Sequence, residues 1–131
     1  MSHLLDVNLL LACAWSTHPR HTEANLWLDA AAEFATAPIT QMGFMRVSMS
    51  PAYQASFADA LAGLQAILKL PSHRFLTDAV EANFLPPVTR GGDVTDAHLV
   101  KLAAGHGFKL ATLDNTLCSK SWATGIAEDP L

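Results

Sequence analysis

The most constraining feature of this chain is a recurring pattern of very short apolar segments, each followed by a stretch with helical spacing. Leu4-Leu5 runs through Asp6 into Val7-Asn8-Leu9-Leu10-Leu11-Ala12-Cys13-Ala14-Trp15, which reads as a buried strand turning into a helix. Asp6 stands at the junction, where a carboxylate can cap the helix, and the helix is expected to run through Ser16-Thr17-His18 and stop before Pro19. A second helix is expected from Thr22 to Ala32, and a strand over Phe34-Ala35-Thr36-Ala37, closed by Pro38. Thr40 is the expected N-cap of a third helix that Pro51 ends. Ser56 caps a fourth, with Phe57, Ala60-Leu61, Leu64 and Ile67-Leu68 on one apolar face.

His73-Arg74-Phe75-Leu76 has the length of a strand, and residues 77–92, with Pro86-Pro87 and Gly91-Gly92, read as a loop-rich segment with at most a turn of helix near Phe84. Thr95 is the expected cap of a helix from Asp96 to His106, with Gly107 as its stop and a strand over Lys109-Leu110-Ala111-Thr112 after it. Strands alternating with helices predict an α/β fold with a central parallel sheet of four to five short strands flanked by helices. Such sheets place their sites at the carboxyl ends of the strands.

With 131 residues, half of them hydrophobic and 15% charged, the chain has material for a real core, and residues 1–131 are expected to form one domain. No apolar run approaches the ~18 residues of a membrane span, and the N-terminus lacks the basic start and apolar stretch of a signal peptide. A cytoplasmic protein without membrane attachment is the expectation. Cys13 and Cys118 are the only thiols, too few and too far apart for a disulfide framework or a thiolate zinc site. Twelve acids against eight Lys and Arg give a net charge of −4, which argues against holding nucleic acid by bulk electrostatics. A nuclease is still compatible, because cations in an acidic pocket reverse the local sign.

Asp6 and Asp114 each follow an expected strand, and Asp96 opens an expected helix, so three distant carboxylates can converge on one rim of the sheet. Each alone is an ordinary cap or turn residue. Together they suit a hard cation such as Mg²⁺ or Mn²⁺, because crowded carboxylates repel one another until a cation offsets them.

Four segments, in order, carry a resemblance: Leu4-Leu5-Asp6-Val7-Asn8-Leu9-Leu10, Thr40-Gln41-Met42-Gly43-Phe44-Met45-Arg46-Val47, Thr95-Asp96-Ala97-His98-Leu99-Val100-Lys101-Leu102-Ala103 and Leu110-Ala111-Thr112-Leu113-Asp114. They are similar to the successive motifs of PIN-domain ribonucleases and, more narrowly, of the VapC toxins of bacterial toxin–antitoxin pairs. The resemblance implies that Asp6, Asp96 and Asp114 are catalytic, metal-holding residues for RNA phosphodiester hydrolysis with Mg²⁺ or Mn²⁺. It further implies a cognate VapB-like antitoxin as partner, an RNA substrate and a homodimer. Apolar faces on the first two helices and on the helix from Ser56 to Leu68 leave room for a dimer or antitoxin groove.

Asn8 and Thr112 lie two residues from acids and can either orient a ligand or make local cap and turn hydrogen bonds. Arg46 can clamp a phosphate with its two-pronged guanidinium or pair with an acid of the site. Many relatives carry Glu in a Thr-Glu-x-x-Phe-x-Arg motif where this chain has Gln41, so the site can be one charge short. Asp93, after Gly91-Gly92, either compensates for that charge or is simply solvated. His98 is expected to be structural or exposed, and Trp15, Trp27 and Trp122 to be core or interface residues, since no aromatic run is interleaved with basic residues.

Two other readings remain open. In one, the chain is a catalytically silent PIN-like binding module for a protein or RNA partner. In the other, Asp6 is a phosphoacceptor, a reading weakened by Asn8 where a second acid would serve proton transfer.

Overall fold

The computed structural model describes residues 2–131. Its centre is β1 (His3–Leu5), in which Leu4 and Leu5 have no exposed surface. Three residues make a strand because both faces are covered and β1 is hydrogen-bonded on both edges. It pairs in parallel with β2 (Phe34–Thr36) and with β4 (Lys109–Ala111). β3 (His73–Phe75) and a two-residue β5 (Ala127–Glu128) extend the sheet, giving five parallel strands in the order β3-β2-β1-β4-β5.

Alternation along each strand separates two cores. Leu4 and Leu110 face one side with Leu99, Leu102 and Ala103 of α5 (Val94–Gly105). Leu5, Phe34 and Ala111 face the other, against α1 (Val7–Ala14), α2 (His21–Ala30), α3 (Pro38–Ser48) and α4 (Phe57–Leu68). A one-residue slip would exchange these sets, so burial itself fixes the register. Because the chain moves from β1 toward β2 on one side and returns to β4 on the other, the order reverses between β1 and β4. That is where open parallel sheets leave a crevice.

Several expected boundaries shift, each for a local reason. α1 ends at Ala14, where Trp15 turns extended. Pro38 does not close the strand before a helix starting at Thr40. It opens α3 itself, since a first-turn residue has no use for its N–H. Thr40 therefore sits inside the first turn, where its Oγ1 accepts from the Ala37 N–H and donates to the Ala37 carbonyl, both at 3.0 Å. α5 likewise begins at Val94 rather than being capped by Thr95, and Asp93 precedes it. Phe57, expected on the inner face of α4, is 61% exposed at its first position. Gly107 does end the α5 turn in the left-handed region, at φ 75°.

Beyond Asp114 the fold adds α6 (Asn115–Cys118) and β5, which periodicity did not reveal. Trp15 stacks on Phe44 and donates its indole N–H to Ser48, while Trp27 packs edge-on against His3. Among the described residues no helix is long and apolar enough to cross a membrane.

Candidate active site at the carboxyl edge of the sheet

Asp6 is held more firmly than any other acid of the rim. Its backbone N–H donates to the Ala111 carbonyl, which ties it to β4. Its Oδ1 accepts from the Val7 N–H at 2.7 Å as the cap of α1, and its Oδ2 accepts from the Thr112 hydroxyl at 2.8 Å. Thr112 is fully buried, and its oxygen also accepts from Asn8 Nδ2 and from the Asp114 N–H, each at 3.1 Å. One hydroxyl thus uses its donor and both acceptor positions to fix two acids and an amide. Asn8 completes the stitch by accepting the Leu113 N–H on Oδ1. Only the bond from the Asp114 N–H to Thr112 is a local turn; the others join the start of α1 to the end of β4 across more than a hundred positions, and one of them orients Asp6.

Asp114 caps α6 by accepting from the Leu117 N–H, and Asp96 lies in the first turn of α5. Asp6 and Asp96 line one cavity of about 160 Å³ together with Val7, Thr40, Gly43 and Arg46. Gly43 matters for this closeness. A Cβ there would stand 2.6 Å from Val7 Cγ2, so only glycine lets α3 press against the start of α1 beside Asp6.

The electrostatics follow from crowding. Asp96 is pushed up from its ordinary 3.8 to about 6, first by desolvation and then by the charges of Asp6, Asp114 and Asp93, with Lys120 acting the other way. Burial also raises Asp6, although its bonds from Thr112 and Val7 oppose the rise. Protein cations offset this charge only in part, through Lys120 and Arg90 beside Asp93. Arg46, exposed at the cavity wall, forms no ion pair among the described residues.

Asp93 is not a solvated loop acid. It is 6% exposed, 3.6 Å from Lys120 Nζ and 4.0 Å from Arg90. Lys120, six residues past Asp114 in a segment without pattern, escaped the sequence reading. Gln41 does not line the cavity of Asp6 and Asp96. Its Nε2 donates to Thr36 Oγ1 at 3.0 Å, and Thr36 meets His73 Nε2 at 2.7 Å. Burial favours the neutral form of His73. His98 is structural: its Nε2 pairs with Asp78 at 2.8 Å, fastening the segment before α5 to that helix.

Among the described residues, no three His, Cys, Asp or Glu side chains converge closely enough to enclose a metal ion by themselves. The donor set still fits a hydrated hard cation. Mg²⁺ keeps several waters and takes one or two carboxylates, and the incompletely neutralised acid cluster is the charge such an ion would offset.

The comparisons with known proteins agree with this geometry. A family model described as the PIN domain matches residues 3–122. The chain belongs to the PIN-domain family. Within it, the chain is 42% identical over 118 residues to Ribonuclease VapC38 of Mycobacterium tuberculosis (strain ATCC 25618 / H37Rv), covering 85% of this chain and 84% of that one. It is 36% identical over 138 residues to Ribonuclease VapC39 of the same strain, covering 98% and 99%. This PIN chain is therefore of the VapC type. A solved structure of VapBC2 from Rickettsia felis, bound to a DNA fragment from their promoter, superposes with a TM-score of 0.62 at 15% identity, over 98% of each chain. That likeness establishes the shared fold, and the five-stranded parallel sheet is the PIN sheet.

Proposed function

We propose that this PIN-domain chain, acting as one domain, is an endoribonuclease that depends on Mg²⁺ or Mn²⁺ and serves as the toxin of a type II toxin–antitoxin pair. It cleaves structured cellular RNA in the cytoplasm, forms a homodimer and is restrained by a cognate VapB-like antitoxin. The observation that carries the reading is the crowding of Asp96 by Asp6, Asp114 and Asp93 at the sheet's switch point, beside an unpaired Arg46. The names of the VapC relatives support the ribonuclease activity, and the VapBC assembly of the structural neighbour supports an antitoxin partner.

Asp6, Asp96 and Asp114 are the residues that would hold the cation. When bound, it supplies charge neutralisation at the scissile phosphate and lowers the pKa of water. The chain's own groups do the positioning. Thr112 and the Val7 N–H keep Asp6 in one orientation, so its carboxylate needs no reorganisation when charge arrives. Arg46, free of protein acids and at the cavity wall, is placed to take a phosphate oxygen pair. Asp93 is engaged by Lys120, which sets it apart as a positioning residue that keeps a cation near Asp96.

Incubation of the purified protein with total RNA tests the proposal: cleavage with Mg²⁺ or Mn²⁺ and none in EDTA is expected. Tight RNA binding without cleavage in either metal would favour a silent binding module instead.

A further inference from the structure

A second cavity, of about 380 Å³, opens on the neighbouring face of α5. Ala97, Val100 and Lys101 form its helical wall, Trp122 and Ile126 its C-terminal wall, and Phe84 overhangs it from the 77–92 segment. Ala97 follows Asp96 directly. The two cavities therefore use different faces of the same helix, the first at Thr95, Asp96 and Leu99 and the second from Ala97 to Ala104, some 10 Å along it.

Three properties of this groove call for a ligand with a flat apolar face and a negative charge. Its surface is apolar and aromatic, with Phe84 56% exposed and Trp122 only partly buried against the core. Its one charged lining residue is Lys101, which forms no ion pair among the described residues. Of the eight Lys and Arg in the chain, only Arg46, Lys69 and Lys101 lack such a pair there, and two of these three line the two cavities that flank α5. In a protein of net charge −4, unneutralised cations placed along one path suit a phosphate backbone.

We infer that this groove is a nucleotide subsite for single-stranded RNA, in which a base unstacked from its neighbours lies against Trp122 and Phe84 while Lys101 meets the adjoining phosphate. The inference rests on the ribonuclease reading and extends it: the site would grip an unpaired nucleotide next to the one whose phosphodiester lies at Asp6 and Asp96. The sequence concealed the platform because Phe84, Lys101 and Trp122 come from three separate segments.

Fluorescence anisotropy in EDTA, with a labelled octamer of riboadenylate and an abasic chain of equal length, tests it on the full-length protein. The intact octamer should bind more tightly than the abasic chain. Phe84→Ala, a change at an exposed side chain, should weaken octamer binding on the order of tenfold and leave the abasic chain unaffected. Lys101→Ala should weaken both, and Trp122→Phe, which keeps the core filled, should lose less than Phe84→Ala. Equal affinity for the two chains, no measurable octamer binding, or an unchanged octamer affinity in Phe84→Ala would overturn the subsite. So would a Phe84→Ala protein whose sedimentation shows altered self-association with unaltered RNA binding, since a second copy would then occupy the groove. Base-dependent binding without cleavage in Mg²⁺ or Mn²⁺ would keep the groove and remove the nuclease. Cleavage with insensitive variants would do the reverse.

Discussion

Replacing Asp96 by Asn should make the metal-free protein more stable, and the gain should depend on pH. Asp96 titrates near 6 in the fold against an ordinary 3.8, because desolvation and the charges of Asp6, Asp114 and Asp93 disfavour its ionised form. A carboxyl whose folded pKa lies above its unfolded value binds its proton more tightly in the folded state. Stability is then lost as pH rises from about 4 through about 6, and the full penalty is present above that. The interval corresponds to roughly 3 kcal/mol. Partial exposure of Asp96 lets solvent screen the interaction, so about 1–2 kcal/mol is the reasonable expectation. Urea unfolding in EDTA at pH 7.5, 6 and 4 should show Asp96→Asn ahead of the wild type by that amount at pH 7.5, with the difference closing toward pH 4. Millimolar Mg²⁺ should raise the wild-type stability and leave the variant nearly unmoved. Equal stabilities at pH 7.5, or a gap that persists unchanged at pH 4, would refute the claim that Asp96 sits in an acid cluster its neighbouring cations only partly offset.

Thr112→Val removes the partner of Asp6, Asn8 and the Asp114 N–H at once. A loss of about 2–4 kcal/mol in denaturant unfolding is expected, and a loss under 1 kcal/mol would show that the network relaxes freely. Gln41→Glu should change Mg²⁺ affinity less than twofold in a calorimetric titration, because the side chain at 41 bonds Thr36 rather than lining the acid cavity; a tenfold tightening would place it in the metal's surroundings. Gly43→Ala drives a methyl to within 2.6 Å of Val7 Cγ2 and should cost about 1–3 kcal/mol, with Val7→Ala in the same chain recovering most of it. Additive effects of the two changes would contradict that contact.

The centre of the fold was legible because its strands are buried on both faces. Leu4-Leu5 reads as a short strand because an acid follows and a helix period begins, and Leu110-Ala111 because a helix and its stop precede it and Thr112 follows, and these strands place Asp6 and Asp114 on the rim. The periphery was not legible. β5 is two residues long, exists by pairing with β4, and has no pattern of its own. Pro38 misled because proline ends a strand and starts a helix with equal ease, and only tertiary packing decided between them. Buried Asp93 is paired with Lys120, a contact across 27 positions that no local rule encodes. Gln41 stands on the helix where the motif places it, but Thr36 draws its carboxamide toward His73, and that partner lies on another strand.

In the proposed function, one acid rim, held by Thr112 and centred on Asp96, performs metal-dependent RNA hydrolysis. Mapping the ends of total RNA after incubation with wild type and with Asp96→Asn, each in Mn²⁺ and in EDTA, tests it most directly. Discrete new ends are expected for the wild type in Mn²⁺ alone and none for Asp96→Asn, with an unfolding curve of the variant that shows a cooperative fold. Cleavage at the same positions by Asp96→Asn, or by the wild type in EDTA, would contradict that function.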